Sequence, residues 1–282
     1  MGERSPVKAG GHQPAVPRPP PVAAHVWRLL ETPANTGARN MATDMALVDS
    51  VRAGGAPVLR FYRWWPPCIS LGRHQPARGY YDIAEAERRG IDFVRRPTGG
   101  RAVYHHHEIT YSVVVGDRDF GGPRKTYELI HKALLAGLRL LGANTDIVSD
   151  PGQRIRPSTV PCFKGLDGGA IVAGHRKLVG SAMLREKGVI LQHGSLLLTG
   201  DQSPTVELLK IKRREDFPVQ IAALDALLTH LPTWSELVDS LISGFERLFG
   251  IQIEESVLNP AETARTTELS RHFADPAWTW RL

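Results

Sequence analysis

Residues 94–114, VRRPTGGRAVYHHHEITYSVV, combine two arginines, a Gly-Gly pair and three consecutive histidines. Side chains of these types could hold a metal, a phosphate or an acyl ligand. Consecutive residues on an extended chain point to opposite sides, so His105, His106 and His107 cannot easily converge on one ion. We therefore predict no metal site here.

The Gly-Gly pair in the same stretch does not fit a Walker-type phosphate loop, which needs Gly-Lys-Ser/Thr leading into a helix. Gly99 and Gly100 lead instead into RAVYHHH. Because glycines lack Cβ, their backbone amides can contact a ligand directly. The residues leave two interpretations open: a ligand-contacting loop, or a tight strand turn with solvated arginines.

A second candidate group is formed by Cys162 and Lys177. Cys162 lies in STVPCFKGLDGG, residues 158–169, whose glycines are untypical of a core strand. A lone cysteine is usually a small hydrophobic residue, but these neighbours would allow it to be exposed. Lys177 begins the strand-like run KLVGSAM, and its amine either reaches outward or enters a pocket where it stabilises an anion or a thiolate.

Composition restricts the partners and the compartment. The net charge of +6 and the pI near 9.5 are compatible with nucleic acid, an anionic membrane or an acidic protein. No nucleic-acid-binding motif accompanies the dispersed arginines, which favours an acidic protein partner. The two cysteines are too few for a disulfide scaffold, and no apolar run of about 18 residues occurs. We expect a cytoplasmic protein.

The apolar periodicity predicts alternating groups of strands and helices. Residues 1–25 are proline-rich and are predicted to be a disordered leader, followed by one domain at 26–282. The predicted order of strands, helix, strands and helix favours a mixed α+β fold with mainly antiparallel sheets. The predictions include a helix at about 40–53 begun by Asn40, paired strands at 57–65 and 68–74, a helix capped by Thr126, three strands within 168–198 with turns at 174–175 and 187–188, and a helix opened by Thr233 and Glu236.

Five blocks of the sequence resemble, in order, the biotin/lipoate protein ligase superfamily. They are NMATDMAL, LRFYRWWPPCISLGRHQ, RRPTGGRAVYH, ITYSVV and KLVGSAMLREKGVILQHGSLLL. The similarity runs from about Trp27 to Trp280 and is greatest to the cysteine-dependent octanoyltransferases of lipoate assembly. The resemblance implies transfer of an octanoyl group from octanoyl-acyl carrier protein to a lysine of lipoyl domains, such as glycine cleavage H protein or 2-oxoacid dehydrogenase E2, without a cofactor.

The same resemblance implies roles for particular residues. Cys162 would be the nucleophile and Lys177 would line the acyl site. The loop that wraps the acyl thioester would carry Arg96, Gly99, Gly100 and His105, with a Gln-His-Gly turn that includes His193 and Gly194 nearby. Cys68 is interpreted as a packing residue.

Some residues depart from the family pattern. His106 and His107 stand where an acidic residue is common, and Met183 stands where glutamine is common, which puts fine substrate contacts in doubt. The alternatives are an ATP-dependent lipoate-protein ligase, an amidotransferase that moves octanoyl between lipoyl-bearing proteins, and a non-catalytic module that binds acidic lipoyl domains or nucleic acid.

Overall fold

The computed structural model describes residues 25–148, 170–200, 202–211 and 221–282. Residues 1–24 of the predicted leader lie outside the described residues, and so does Cys162. His25, the last residue of the predicted leader, is described. The strands are β1 (Val26–Glu31), β2 (Val58–Tyr62), β3 (Cys68–Leu71), β4 (Asp92–Arg95), β5 (Val103–His105), β6 (Glu108–Gly116), β7 (Asp146–Ile147), β8 (Ile171–Ala173), β9 (Arg176–Glu186), β10 (Val189–Leu197) and β11 (Gln252–Glu255).

Helices alternate with groups of these strands. They are α1 (Gly37–Arg52), α2 (Ile83–Arg88), α3 (Pro123–Leu140), α4 (Pro204–Glu207), α5 (Trp234–Phe249), α6 (Pro260–Ala274) and α7 (Pro276–Thr279), with a short 3-10 turn at Leu224–Ala226. None of these helices is both long and apolar enough to cross a membrane. The predicted mixed α+β class is confirmed.

Two sheets organise the described part of the chain. The larger has the order β11-β1-β2-β6-β10-β9-β8-β7, and the smaller has the order β4-β3-β5. Strand β1 pairs in parallel with β2 and β11, whereas β6, β9 and β10 form long antiparallel pairs. The smaller sheet combines a parallel β3–β4 pair with an antiparallel β3–β5 pair.

One face of the larger sheet changes from apolar to polar along its length. The β6–β10 register places Val114 opposite Leu191 and Ser112 opposite His193. Because side chains alternate along a strand, both pairs lie on the same face. Val114 and Leu191 join a core with Leu47 of α1. The polar pair further along the strands therefore marks the point where the core gives way to a site.

The opposite face of the larger sheet packs against α3 and α5. Their interface is close because Gly137 and Gly244 meet: a Cβ on Gly244 would overlap the carbonyl oxygen of Ala133. The helix α5 begins with the predicted capping box, in which Thr233 and Glu236 satisfy each other's backbone amides. The core on this face also contains Trp27.

Several predicted element boundaries need correction. The helix α1 is capped by Thr36 rather than Asn40, which lies inside the helix and donates to the backbone oxygens of residues 35 and 63. Gly122 precedes α3, and Thr126 lies within it with its hydroxyl bonded to the Gly122 carbonyl. The predicted pairing of 57–65 with 68–74 is wrong, since β2 and β3 belong to different sheets.

Other boundaries agree with expectation. The strands β8, β9 and β10 are joined by turns at Gly174-His175 and Lys187-Gly188, as the sequence predicted. The polar run DIAEAERRG, residues 82–90, is predicted from its sequence to be a short helix, and it forms α2. These elements depend on local signals, which is why the sequence alone could find them.

Candidate active site

A cleft opens between the polar end of the larger sheet, the smaller sheet and α1. It holds about 360 Å³ of empty space, part of it open to solvent. The cleft is lined by residues of α1, by residues in or next to β2, β3, β4 and β5, and by residues of the central strands β6, β9 and β10. The described lining residues are Met41, Tyr62, Trp64, Ser70, Arg96, Val103, His105, Thr110, Gly180, Ser181, Ala182, His193, Gly194 and Ser195.

One wall of the cleft rests on the buried carboxylate of Asp44. Its Oδ1 accepts hydrogen bonds from Arg60 at 2.7 Å and Ser112 at 2.9 Å. Its Oδ2 accepts from Tyr62 at 3.1 Å and from His193 Nδ1 at 3.0 Å. The carboxylate thus ties α1 to β2, β6 and β10, and it fixes the histidine of the cleft.

Electrostatics sets the protonation of this pair. Burial alone would raise the pKa of Asp44, but the charge of Arg60 and the hydrogen bonds from His193 and Arg60 bring it below its ordinary value. Burial lowers the pKa of His193 despite the opposing effect of Asp44. His193 is therefore neutral near pH 7. Its Nδ1–H donates to Asp44, and its Nε2 accepts from Thr98 Oγ1 at 2.7 Å.

A second array of the same chemistry lies at the end of β5. His105 Nδ1 donates to Glu108 Oε1 at 2.8 Å, and His105 Nε2 accepts from Ser70 Oγ at 2.7 Å. The imidazole ring also stacks on Trp64, with centroids 3.9 Å apart. Ser195 Oγ donates to the same Glu108 oxygen at 2.9 Å. A proton delivered to Ser70 from the cleft could therefore pass to His105 beside a carboxylate.

The Gly-Gly loop is held to the cleft by Arg96. Its Nη1 donates to the Ser70 carbonyl at 2.9 Å, and its Nη2 donates to the Gly99 carbonyl at 2.8 Å. Gly100 has φ +93°, and a Cβ there would lie 2.7 Å from Arg96 Nη2. The left-handed backbone favours glycine at this position, and any side chain there would have to displace the guanidinium.

A third polar group lies at Ser181 of β9. Its Oγ is 2.7 Å from Tyr111 Oη and 2.8 Å from His131 Nε2. Gln192 Nε2 donates to the same tyrosine oxygen at 3.0 Å. This group connects the cleft to α3 through the sheet.

The structure brings together four of the predicted site residues at the cleft: Arg96, His105, His193 and Gly194. Two details differ from expectation. His105 ends strand β5 instead of lying on a loop, and His193 and Gly194 lie in the middle of β10 instead of in a turn. Gly194 is crowded there, because a Cβ would lie 2.6 Å from the Gly180 carbonyl oxygen.

The remaining predicted residues are placed differently. Gly99 and Gly100 adjoin the cleft through Arg96, and Lys177 is buried near the start of β9, three residues before the lining residue Gly180. Cys162 lies outside the described residues, so its assignment as nucleophile stays a prediction. Cys68 is fully buried and is confirmed as a packing residue. Burial, together with nearby carboxylates, raises the pKa of its thiol well above the ordinary value.

Across the described ranges, the structure shows no group of three or more His, Cys, Asp or Glu side chains arranged to hold a metal ion. The residues that sequence reasoning missed are mainly the partners of the histidines: Asp44, Glu108, Ser70 and Thr98. A signal for Asp44 was present, since it is the one charged residue in the block NMATDMAL.

Comparison with known proteins gives the family. The sequence profile of the lipoyl protein ligase A/B catalytic domain matches residues 36–246. The chain belongs to this family. An octanoyltransferase LipM of Moorella thermoacetica is 38% identical over 270 residues, covering 92% of this chain and 99% of the relative. One of Geobacillus kaustophilus is 34% identical, covering 92% and 100%.

Solved structures of the family have the same architecture. A crystal structure of lipoate-protein ligase A bound with ATP superimposes with a TM-score of 0.75 at 27% identity, covering 91% of this chain and 98% of that one. A bipartite lipoate-protein ligase from Thermoplasma acidophilum gives 0.73 at 26% identity, covering 91% and 96%. The superfamily and fold predicted from the five sequence blocks are confirmed.

Proposed function

We propose that this protein transfers an octanoyl group from octanoyl-acyl carrier protein to a lysine of lipoyl domains, through a thioester on Cys162. The observation that carries the reaction type is the similarity over nine-tenths of the chain to relatives named octanoyltransferase. The cleft supports it, because four residues expected to surround an acyl thioester, Arg96, His105, His193 and Gly194, meet there on two strands and one loop.

The first half-reaction would exchange one thioester for another. The Cys162 thiolate attacks the octanoyl carbonyl, the new C–S bond forms, and the carrier leaves as a thiolate. Such an exchange has little net energetic cost, so no nucleotide is needed. In this proposal the Lys177 ammonium favours the ionised thiol, and backbone amides of Gly99 and Gly100 stabilise the developing oxyanion.

The second half-reaction would form an amide. The acceptor lysine has an ordinary pKa near ~10.4 and must lose a proton to attack. The contacts around Ser70 offer a route: Ser70 takes the proton and passes its own to His105 Nε2, and the imidazolium is stabilised by Glu108 at 2.8 Å. The C–N bond forms while the Cys162 thiolate leaves.

Binding of the acyl chain would come mainly from apolar burial. At roughly 0.8 kcal/mol per methylene, about six methylenes contribute on the order of 5 kcal/mol. Apolar parts of Met41, Trp64 and Val103 line the cleft and offer such a surface. A chain too short for the cleft would lose part of this contribution.

The direct test is reconstitution without ATP. Purified protein is mixed with octanoyl-acyl carrier protein and a lipoyl domain, and the lipoyl domain is weighed by mass spectrometry. We expect one octanoyl group on the domain, and none on a domain whose target lysine is replaced by arginine.

Two other results would indicate the alternatives. Modification that requires ATP and free octanoate or lipoate would identify a ligase, the activity named for the solved lipoate-protein ligase A structure. Transfer from an octanoylated lipoyl domain, but not from the carrier protein, would identify an amidotransferase.

A further inference from the structure

Four arginines gather beside the smaller sheet, where the chain after β3 meets the segment after α7. Arg95 is buried and donates to the carbonyl oxygens of Gly72 and Gln75, both at 2.7 Å. Around it lie Arg78, which is exposed, and Arg73 and Arg281, which are half-buried; we call these three residues the arginine surface. Arg281 Nη2 donates to the Arg73 carbonyl at 2.6 Å, and Arg78 Nε donates to the Trp280 carbonyl at 2.8 Å.

None of these guanidinium groups forms a salt bridge with an Asp or Glu side chain of the described residues. Within the described residues their hydrogen bonds end on backbone carbonyls, in contrast to Arg88 and Arg89, which pair with Glu85. Carbonyl oxygens satisfy hydrogen bonds but bring no negative charge. The positive charge of these guanidinium groups is therefore not neutralised by Asp or Glu side chains of the described residues.

The crowding affects both the hydrogen bonding and the protonation of these guanidinium groups. Arg95 Nη2 and Arg281 Nε are buried, and within the described ranges neither has a hydrogen-bond partner. Burial first, and then the charges of Arg281 and Arg96, lower the pKa of Arg95 to about 10. Burial and the charge of Arg73 likewise lower the pKa of Arg281. An anion at this surface would relieve the mutual repulsion.

The arginine surface adjoins the cleft. The backbone N–H of Arg73 donates to the Thr98 carbonyl at 2.8 Å, and the Thr98 hydroxyl contacts His193 of the cleft wall at 2.7 Å. The preceding Gly72 lies so close to the Gly-Gly loop that a Cβ would overlap the carbonyl oxygen of Gly100. A macromolecule seated on the surface would thus be next to the loop predicted to wrap the acyl thioester.

We propose that the arginine surface docks the acyl donor, a protein with an acidic face that presents its thioester on a phosphate-bearing arm. This inference rests on the proposed function and adds the recognition of its donor. The guanidinium fork matches phosphate and carboxylate oxygens in a bidentate manner. The net charge of +6 also favours association with an acidic partner.

The test compares two charge-reversal variants that change the net charge equally. The docking variant carries Arg73→Glu and Arg78→Glu. The control carries Lys132→Glu on α3 and Arg247→Glu on α5, two exposed cations that form no ion pair among the described residues. Thermal unfolding of both variants establishes that each is folded at the assay temperature.

Each protein is assayed with octanoyl-acyl carrier protein, octanoyl-phosphopantetheine and octanoyl-pantetheine. For the docking variant we expect KM for the carrier-bound donor to rise on the order of tenfold or more, with octanoyl-pantetheine used as by the wild type. A rise also for octanoyl-phosphopantetheine assigns part of the contact to phosphate, and a rise for the carrier alone assigns it to the acidic face. Equal losses with all three donors, or the same KM change in the control, would overturn the inference.

Direct binding separates this inference from the proposed function. Fluorescence anisotropy is measured with labelled carrier protein and with a labelled DNA duplex at the same ionic strength. Weaker carrier binding by the docking variant supports the inference even if the wild type transfers no octanoyl group from any donor, a result that would refute the proposed function alone. An affinity loss confined to DNA, or no carrier binding by the wild type, would overturn the docking inference.

Discussion

One wall of the cleft depends on the buried carboxylate of Asp44, whose charge is balanced by the buried guanidinium of Arg60. Asp44 is fully buried, and each of its oxygens accepts two hydrogen bonds. Removing such a carboxylate would leave Arg60 as an uncompensated buried charge, a change that generally costs about 3–5 kcal/mol. Asp44 thus has a structural role, and through Nδ1 it also sets which nitrogen of His193 carries the proton.

Acidification should weaken the fold through His193. Its pKa in the folded protein is lowered, so the unfolded chain binds the proton more readily, beginning at its ordinary pKa near ~6.5. The free energy of unfolding should therefore fall as pH drops below that value towards the folded pKa. Asp44 contributes in a lower pH range. Its contribution to the stability of the fold is present above about pH 3.9 and is lost as pH falls through its lowered pKa.

The measurement is urea unfolding of wild type and His193→Asn at several values between pH 7.5 and 5. The Asn amide can still donate to Asp44 but does not titrate. For each pH unit of acidification, the free energy of unfolding should therefore fall less in the variant than in the wild type, by up to about 1.4 kcal/mol. His175→Asn, at an exposed turn, serves as the control. Parallel pH profiles for wild type and His193→Asn would contradict the assignment of the neutral histidine.

At the residue scale, chemistry-bearing motifs could be found in the sequence, but their partners could not. The paired glycines, His105 and the Gln-His-Gly block stand out by type and by resemblance. Asp44 and His193 are 149 positions apart, and only the folded sheet brings them within 3.0 Å. Cys68 was correctly interpreted because it stands where the resembling family commonly has a small apolar residue, and it is fully buried.

At the scale of elements, two glycines allow neighbouring backbones to approach closely, Gly194 between two strands and Gly244 between two helices. Gly194 lies in the cleft, where a Cβ would lie 2.6 Å from the Gly180 carbonyl oxygen and 2.7 Å from Ser181 Oγ. Gly244 lies between α3 and α5, away from the cleft lining. Both positions require the absence of a side chain, but only the first adjoins the predicted chemistry.

We expect Gly194→Ala and Gly244→Ala each to reduce the free energy of unfolding by about 1–3 kcal/mol, because backbone atoms must shift to admit a methyl group. Only Gly194→Ala should also lower kcat/KM for octanoyl transfer at a temperature where both variants are folded. Urea unfolding and steady-state kinetics on the same preparations measure the two effects. Equal kcat/KM values for the two variants would remove Gly194 from the site.

Element prediction succeeded where the signal is local. The capping box of α5 and the glycine turns around β9 were read from a few adjacent residues. The pairing of β2 with β3 was wrong because neighbours in sequence were taken as neighbours in the sheet, whereas β2 pairs with β1 and β6. The helix α6 was missed although Asn259, Pro260 and Glu262 form a complete start signal with a capping box.

At the scale of the whole molecule, the two sheets act as separate walls of one cleft. The smaller sheet carries Arg96 and His105 near its ends, and the larger sheet carries His193 and Gly194. The α6–α7 segment supports the smaller sheet, since Arg95 donates to the Thr279 carbonyl at 2.8 Å. The order of the five sequence blocks along the chain was enough to predict the family architecture. It was not enough to predict which of their residues meet in space at the cleft.

The central claim is that one sulfur atom carries the octanoyl group between donor and acceptor. Intact mass spectrometry of the protein after incubation with octanoyl-acyl carrier protein, without ATP or acceptor, tests it most directly. We predict one octanoyl adduct on wild type and on Cys68→Ser, and none on Cys162→Ser, because the Cys68 thiol is buried with a raised pKa. An adduct that persists in Cys162→Ser, or that never forms on the wild type although the lipoyl domain is octanoylated, would contradict the account.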